Sequence, residues 1–261
     1  MSRRRAVVGS GAPDRPTKWA AGSLTTVIVA AVVCPHPPLL LRELCGLEDT
    51  VPEFRAACRE ALGGMLARDL DAVVVVGGGA ATAAWDPSLP IGVRRFGTTA
   101  APEAVGLPQS LGVGRRLLDE GGWAGPVQTH TVARDADPSA VTALADRVAG
   151  VPGRVGLLVL ADGSARRGLR APGHLDERAF AFDDETARAL EAGDAQGLTD
   201  VAPGLAADLL SGGRAALAVL GAVARAQGSS PRARLLHRDD PHGVSYVVAV
   251  WELLSEGGGG G

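Results

Sequence analysis

The chain has 261 residues and a formal net charge of −3, from 26 basic and 29 acidic side chains. This near balance argues against a nucleic-acid-binding protein that relies on general basicity. Hydrophobic residues make up 46% of the sequence, which excludes a globally disordered chain. No apolar run approaches the roughly 18–20 residues of a membrane-spanning helix. We therefore expect neither a nucleic acid nor a membrane as partner.

The hydrophobic pattern predicts a strand–helix–strand unit at the start of the folded region. Residues 26–33 form a continuous β-branched run, which is typical of a strand buried on both faces. Residues 52–68 place their apolar side chains on one face of a helix, and 72–76 form a second buried strand. Such a unit implies a parallel crossover connection.

The same alternation of helices and strands continues to the end of the chain. Asp137 is the predicted N-cap of one helix, because Pro138 follows it at the first helical position. Further helices are predicted over 108–120, 138–149, 183–192, 204–210 and 214–226, and further strands over 127–132, 155–160, 233–237 and 244–253. The predicted fold class is α/β, with a mostly parallel central sheet flanked by helices.

The domain organisation follows from composition. Residues 1–23 are rich in Gly, Pro and Arg without periodicity, and 257–261 are all glycine, so both ends are predicted to be tails. A single domain is expected over 24–256, because no long linker or repeat interrupts it. The three cysteines form no disulfide or zinc pattern, which favours a cytoplasmic protein. The sequence is also compatible with a homo-oligomer.

Candidate site residues follow from the strand ends. In open parallel sheets, ligands bind beyond the carboxyl ends of the strands. Four polar or glycine-rich segments follow predicted strands in this way: 34–38, 77–79, 162–165 and 238–243. His36 lies between two prolines that stiffen its loop, which suits a metal ligand or a base. The alternative is a structural histidine bonded to a carbonyl group.

Two of these segments leave further alternatives open. The glycines at 77–79 follow four valines, as a nucleotide-binding loop does, but a lone GxG is a weak signal. A nucleotide site would require a helix to begin just after Gly79, whereas the other interpretation is a tight strand exit. Asp239, Asp240 and His242 offer carboxylates and an imidazole, or form a solvated turn.

Two blocks of the sequence resemble one known family. The first is strand 26–33 with the loop Pro35-His36-Pro37-Pro38-Leu39-Leu40, and the second is the stretch 161–194. Within the second block, three pairs fit the family's frame: Phe182-Asp183, Ala189-Leu190 and Gly193-Asp194. The blocks resemble the class III extradiol ring-cleavage dioxygenases, the LigB-like family of the catalytic subunit of protocatechuate 4,5-dioxygenase and the related Memo proteins. The resemblance covers about 26–254 of the chain.

This resemblance implies a non-haem Fe(II) enzyme that opens catechol-type aromatic rings with O₂. His36 matches the first iron ligand. Asp239 or Asp240 stands near the position of the carboxylate ligand, and His242 could supply a replacement nitrogen. The chain departs from the family at 77–79, where a second histidine ligand is expected, and at Ala165, which stands where an acid/base histidine follows the serine.

Two hypotheses about function therefore stay open beside the nucleotide-binding alternative. The first is an Fe(II)-dependent extradiol dioxygenase, or an oxygenase with a rearranged site, that acts on a small aromatic substrate. The residue types at the site also suit Zn, so the identity of a bound metal stays open. The second is a non-catalytic protein, a pseudoenzyme, that binds a small molecule or a partner on the same fold without a metal. We expect Asp162 and Ser164 to contribute to catalysis, and to share one cleft with His36 and the segment 239–242. His130 and His174 are expected to be dispensable.

Overall fold

The computed structural model describes residues 26–44, 49–92 and 106–253. The predicted tails at 1–23 and 257–261 lie outside these residues. The described chain forms an α/β fold around one seven-stranded sheet of order β3-β4-β2-β5-β1-β7-β6. The strands are β1 (Val27–Cys34), β2 (Ala72–Gly79), β3 (Ala83–Trp85), β4 (Val127–Ala133), β5 (Arg154–Leu160), β6 (Arg232–Asp239) and β7 (Tyr246–Glu252). The predicted fold class is confirmed.

Helices cover both faces of this sheet. They are α1 (Pro52–Leu66), α2 (Gln109–Glu120), α3 (Pro138–Ala149), α4 (Arg178–Ala192), α5 (Ala195–Thr199), α6 (Pro203–Asp208) and α7 (Arg214–Ala226). The carboxylate of Asp137 accepts the backbone N–H of Ala140 at 2.8 Å, which confirms this residue as the N-cap of α3. Within the described ranges, no helix is long and apolar enough to cross a membrane.

Alternate residues of the central strands feed two separate cores. Val74 and Val76 pack in the core that contains side chains of α3 and α7. Val73 and Val75 pack in the core that contains side chains of α1 and α2. Because helices cover both faces, the central strands can be apolar at every position.

Strand direction brings several chain segments to one edge of the sheet. β4, β2, β5 and β1 are parallel neighbours. β7 runs antiparallel to β1, and β6 runs antiparallel to β7, so β6 has the same direction as β1. The carboxyl ends of five strands therefore lie at the same edge.

The structure corrects the sequence predictions at β2. This strand continues through the glycines to Gly79 instead of ending at Val76, and Gly77 pairs with Leu160 on one side and Thr131 on the other. After Gly79 the chain turns and enters the short strand β3, not a helix. A nucleotide-binding loop requires a helix directly after Gly79, so the prediction of such a loop at 77–79 is wrong.

Candidate functional site

A cleft of about 1060 Å³ opens at the carboxyl ends of the parallel strands. His36 follows β1, Gly78 and Gly79 end β2, Arg134 follows β4 and Asp162 follows β5, and all five line this cleft. The location is the one that the strand-end rule predicts for ligands of open parallel sheets. The cleft is therefore the candidate functional site.

His36 and Asp162 form the buried polar centre of the cleft. Asp162 Oδ1 accepts the backbone N–H of His36 at 2.7 Å and lies 3.5 Å from His36 Nδ1. His36 is only 8% exposed, and its Nδ1 has no hydrogen-bond partner among the described residues. The opposite ring nitrogen, Nε2, lies 4.0 Å from the position that a Cβ on Gly212 would take. The imidazole is thus held deep in the cleft, between Asp162 and the α6–α7 turn.

Helix ends fix the backbone of both residues. Gln109, the first residue of α2, donates its side-chain N–H to the carbonyl oxygen of His36 at 3.0 Å. Gly213, directly before α7, donates its backbone N–H to the carbonyl oxygen of Asp162 at 2.8 Å. These bonds connect the two loops to helices on opposite faces of the sheet.

Arg55 holds the loop that follows His36. This arginine of α1 is 3% exposed and donates to the carbonyl oxygens of Leu39 and Leu40 at 2.7 and 2.6 Å. Its Nε donates to Asp49 at 3.0 Å. The buried guanidinium therefore satisfies two loop carbonyls that water cannot reach easily.

We expect Arg55→Leu to lower the free energy of unfolding by about 1.5–3 kcal/mol, because hydrogen bonds to a charged group are lost in a buried place. Urea denaturation measures this effect, and amide exchange should become faster in the His36 loop. Arg59→Leu is the matched control, since Arg59 is exposed on the same helix. Equal stability of the two variants would contradict a holding role for Arg55.

Tyr246 adds an aromatic wall to the cleft. It is buried at the start of β7, and its ring stacks on Phe54 with a centroid separation of 5.5 Å. Burial, with a smaller effect from the Asp162 carboxylate, raises the pKa of the Tyr246 phenol. The side chain therefore remains a neutral hydroxyl that can donate or accept a hydrogen bond.

Ser164 lies beside the cleft and does not line it. The residue is fully buried, and its N–H and hydroxyl donate to the carboxylate of Asp183 at 2.9 and 2.5 Å. Arg167 donates to the same carboxylate at 3.4 Å and to Asp240 at 2.7 Å. Burial raises the pKa of Asp183, whereas its bonds to Ser164 and Arg167 act in the opposite direction. The Ser164 hydroxyl is thus engaged in a buried polar network.

The last residue of β6, Asp239, and the residues 240–242 that follow it also lie outside the cleft lining. Asp240 is bound to Arg167, and the Asp239 carboxylate accepts the backbone N–H of Asp240 at 2.8 Å. His242 is exposed and has a φ of 62°. Of the segments predicted to share one cleft, those of His36 and Asp162 do so, but Ser164 and the segment 239–242 do not. The end of β6 lies at the same edge of the sheet as the cleft, as predicted. However, β7 lies between β6 and β1, so the end of β6 is displaced from the cleft.

The described side chains do not fit an iron site of two histidines and one carboxylate. In the ranges that the structure covers, no group of three or more His, Cys, Asp or Glu side chains could hold a metal ion. Gly78, Gly79 and Ala165 line the cleft, in the two places where the resemblance expects histidines. None of these residues has a side-chain donor atom.

The remaining histidines of the prediction lie elsewhere. His130 is buried in β4, where burial lowers its pKa, and His174 is exposed in a loop. Neither lines the cleft, so their expected dispensability stays a prediction.

Several cleft residues were missed by the sequence reasoning. Arg134 directly follows β4, so the strand-end rule could have found it. Tyr246 begins an antiparallel strand, which that rule does not cover. Gly212 lies on a turn between helices, where its only sequence signal is the glycine pair before α7.

No protein-family model and no curated protein matches the chain. The crystal structure of an uncharacterized protein from Escherichia coli K12 is similar, with a TM-score of 0.47 and 16% sequence identity. The similarity covers 85% of this chain and 99% of that chain.

Proposed function

We propose that the chain binds a small organic molecule in the cleft beside His36 and Asp162. The observation that carries this proposal is the buried imidazole of His36 in the cleft lining, whose Nδ1 lies 3.5 Å from Asp162 and has no hydrogen-bond partner among the described residues. Buried polar atoms without hydrogen bonds are rare in folded proteins, and one in a cleft calls for a functional explanation. The other ring nitrogen, Nε2, has no hydrogen bond among the described residues and is the atom that a ligand can bind. The volume of about 1060 Å³ is at the upper end of the range of small-molecule sites.

The walls of the cleft support a ligand of mixed character. Pro37, Trp85 and Leu210 offer apolar surface, while Gln109 and Asp162 offer polar groups. Small-molecule sites commonly combine apolar walls with a few polar groups that orient the ligand. Binding of an organic molecule fits this lining better than binding of a bare ion.

A second candidate is an Fe(II)-dependent extradiol dioxygenase that acts on catechol-type aromatics. One observation favours it. The cleft is lined by His36, Gly79 and Ala165, three residues that the resemblance to the extradiol dioxygenases places at or near that family's site. The glycine and the alanine provide no metal ligand or proton carrier. We therefore place binding of a small molecule before ring cleavage.

Binding is tested by a fragment screen with ligand-observed NMR. We expect small fragments to bind the wild-type chain and to lose most of their binding in His36→Ala, because the buried imidazole is removed. His174→Ala is the matched control, since that histidine is exposed outside the cleft. If no fragment binds more weakly to His36→Ala than to the wild type, the proposal is overturned.

The two candidate functions are separated by an enzymatic assay. We expect weak or no cleavage of catechol and protocatechuate after anaerobic loading with Fe(II), because the described donors do not form the iron site. Oxygen uptake and absorbance of the ring-opened product measure the reaction. Turnover above about 1 s⁻¹, which is ordinary for an enzyme, would instead establish the dioxygenase.

A further inference from the structure

We propose that the ligand of this cleft carries a carboxylate or phosphate group, and that this anion binds between the start of α7, His36 and Arg134. The inference rests on the proposed function, because it names the chemistry of the ligand for the same cleft. Three independent features of the lining support it.

The first feature is the N-terminal end of α7. This helix has 13 residues, its N-cap Gly213 provides no side-chain cap, and its first turn contains no acidic residue. Ser211 and Gly212, directly before it, line the cleft. The Gly212 N–H makes no hydrogen bond within the described residues. Because the Gly213 N–H is bound to the carbonyl oxygen of Asp162, the N–H that this end offers to the cleft is that of Gly212. A free N–H and the helix dipole favour an anion at such an end.

The second feature is the imidazole of His36 on the same turn. The side chain is nine-tenths buried, and its Nε2 lies 4.0 Å from the Cβ position of Gly212. Its Nδ1 has no hydrogen-bond partner among the described residues. Nε2 also has no hydrogen bond among the described residues. With a proton on Nε2, the ring can donate to an anion beside Gly212 without breaking a hydrogen bond that the structure contains.

The third feature is the guanidinium of Arg134. This side chain is exposed, lines the cleft and forms no ion pair within the part of the chain that the structure describes. A Cβ atom on Gly78 would lie 4.0 Å from Cγ of Arg134 and would overlap the carbonyl oxygen of Gly212. Arg134 and Gly212 are therefore both neighbours of Gly78. Arg134 thus starts beside the turn that precedes α7. Guanidinium groups bind carboxylate and phosphate through two parallel hydrogen bonds.

Two carboxylates in the lining do not cancel these features. Asp135 is exposed, so water and salt screen its charge. One oxygen of Asp162 already accepts the backbone N–H of His36. The Asp162 side of the cleft therefore suits a donor on the ligand, and the Arg134 side suits its anionic end.

The test compares benzoate, benzamide and inorganic phosphate in NMR titrations of the whole chain. Benzoate and benzamide have nearly the same shape and differ in charge. We expect benzoate to shift the resonances of His36 and Gly212 and to bind about tenfold more tightly than benzamide, the ratio that one charged hydrogen bond supports. Phosphate binding at the same resonances would identify a phosphate-bearing ligand, and benzoate binding alone a carboxylate.

Two variants make the test specific. Arg134→Gln should weaken binding of the anion about tenfold. Arg225→Gln, an exposed arginine in the last turn of the same helix, is the matched control and should have no effect. Gly212→Ala should also weaken binding, because its methyl group would project towards His36 Nε2. The fold should tolerate this methyl group, since no other atom lies within 4 Å of its position.

Each outcome bears on one proposal. Equal affinity for benzoate and benzamide, or equal affinity of the wild type and Arg134→Gln for the anion, would overturn the anion site and leave small-molecule binding intact. The anion site would also be overturned if fragments bind in the cleft but neither benzoate nor phosphate does. Failure of the whole fragment screen would instead overturn the proposed function.

Discussion

Replacement of Asp183 by alanine is expected to lower the free energy of unfolding by about 3–5 kcal/mol, the usual cost of removing one partner from a buried ionic network. Asp183 is 2% exposed, and its carboxylate accepts the N–H and hydroxyl of Ser164 and a guanidinium N–H of Arg167. The variant would leave the two buried donors of Ser164 without an acceptor, whereas Arg167 would keep its bond to Asp240. Urea denaturation followed by circular dichroism measures the change.

The adjacent residue provides the control for this prediction. Asp184 is exposed and pairs at the surface with Arg238, so Asp184→Ala should change stability little. Asp183→Asn should lose less stability than Asp183→Ala, because its amide oxygen can still accept one bond from Ser164. If Asp183→Ala and Asp184→Ala proved equally stable, the buried network would have no stabilising role.

The same network explains why one site prediction differed from the structure. Ser164 and Asp162 are both in the loop after β5, and the sequence offers no direct means of telling which one faces the cleft. The structure places Asp183, from α4, against Ser164 and leaves Asp162 facing His36. That choice depends on a contact between segments 19 residues apart, which strand and helix periodicity does not contain.

The elements themselves were predictable where burial decides the pattern. The helix at 214–226 and the strand at 155–160 were placed almost as observed, because one packs an apolar face and the other is buried on both faces. The end of β2 was not predicted correctly: the strand was expected to end at Val76, since glycine usually weakens a strand, but it continues to Gly79. At Gly77 the neighbour Ser110 leaves no room for a Cβ, so the glycine allows the strand and α2 to approach closely. The start of α4 was also missed, because Glu177 gives no side-chain cap.

The geometry of the cleft depends most directly on Gly78. Gly78→Ala is expected to abolish fragment binding in the cleft and to lower the free energy of unfolding by about 1–3 kcal/mol, as overpacked sites do. Its Cβ would lie well under 3.0 Å from the backbone carbonyl oxygen of Gly212. Pairing with Val132 of β4 fixes the Gly78 side of this contact, and the bond from Gly213 to Asp162 fixes the other.

Neither backbone can move without cost, so the added methyl group should push the α6–α7 turn away from His36. The fragment titration and urea denaturation together measure both effects. Gly63→Ala is the control, because Gly63 is exposed in α1 with no atom within 4 Å of its Cβ position. That substitution should raise helix stability by up to about 1 kcal/mol and leave binding unchanged. Full binding by Gly78→Ala would show that the turn carrying Gly212 does not fix the site, and would remove the geometric basis for an anion held there.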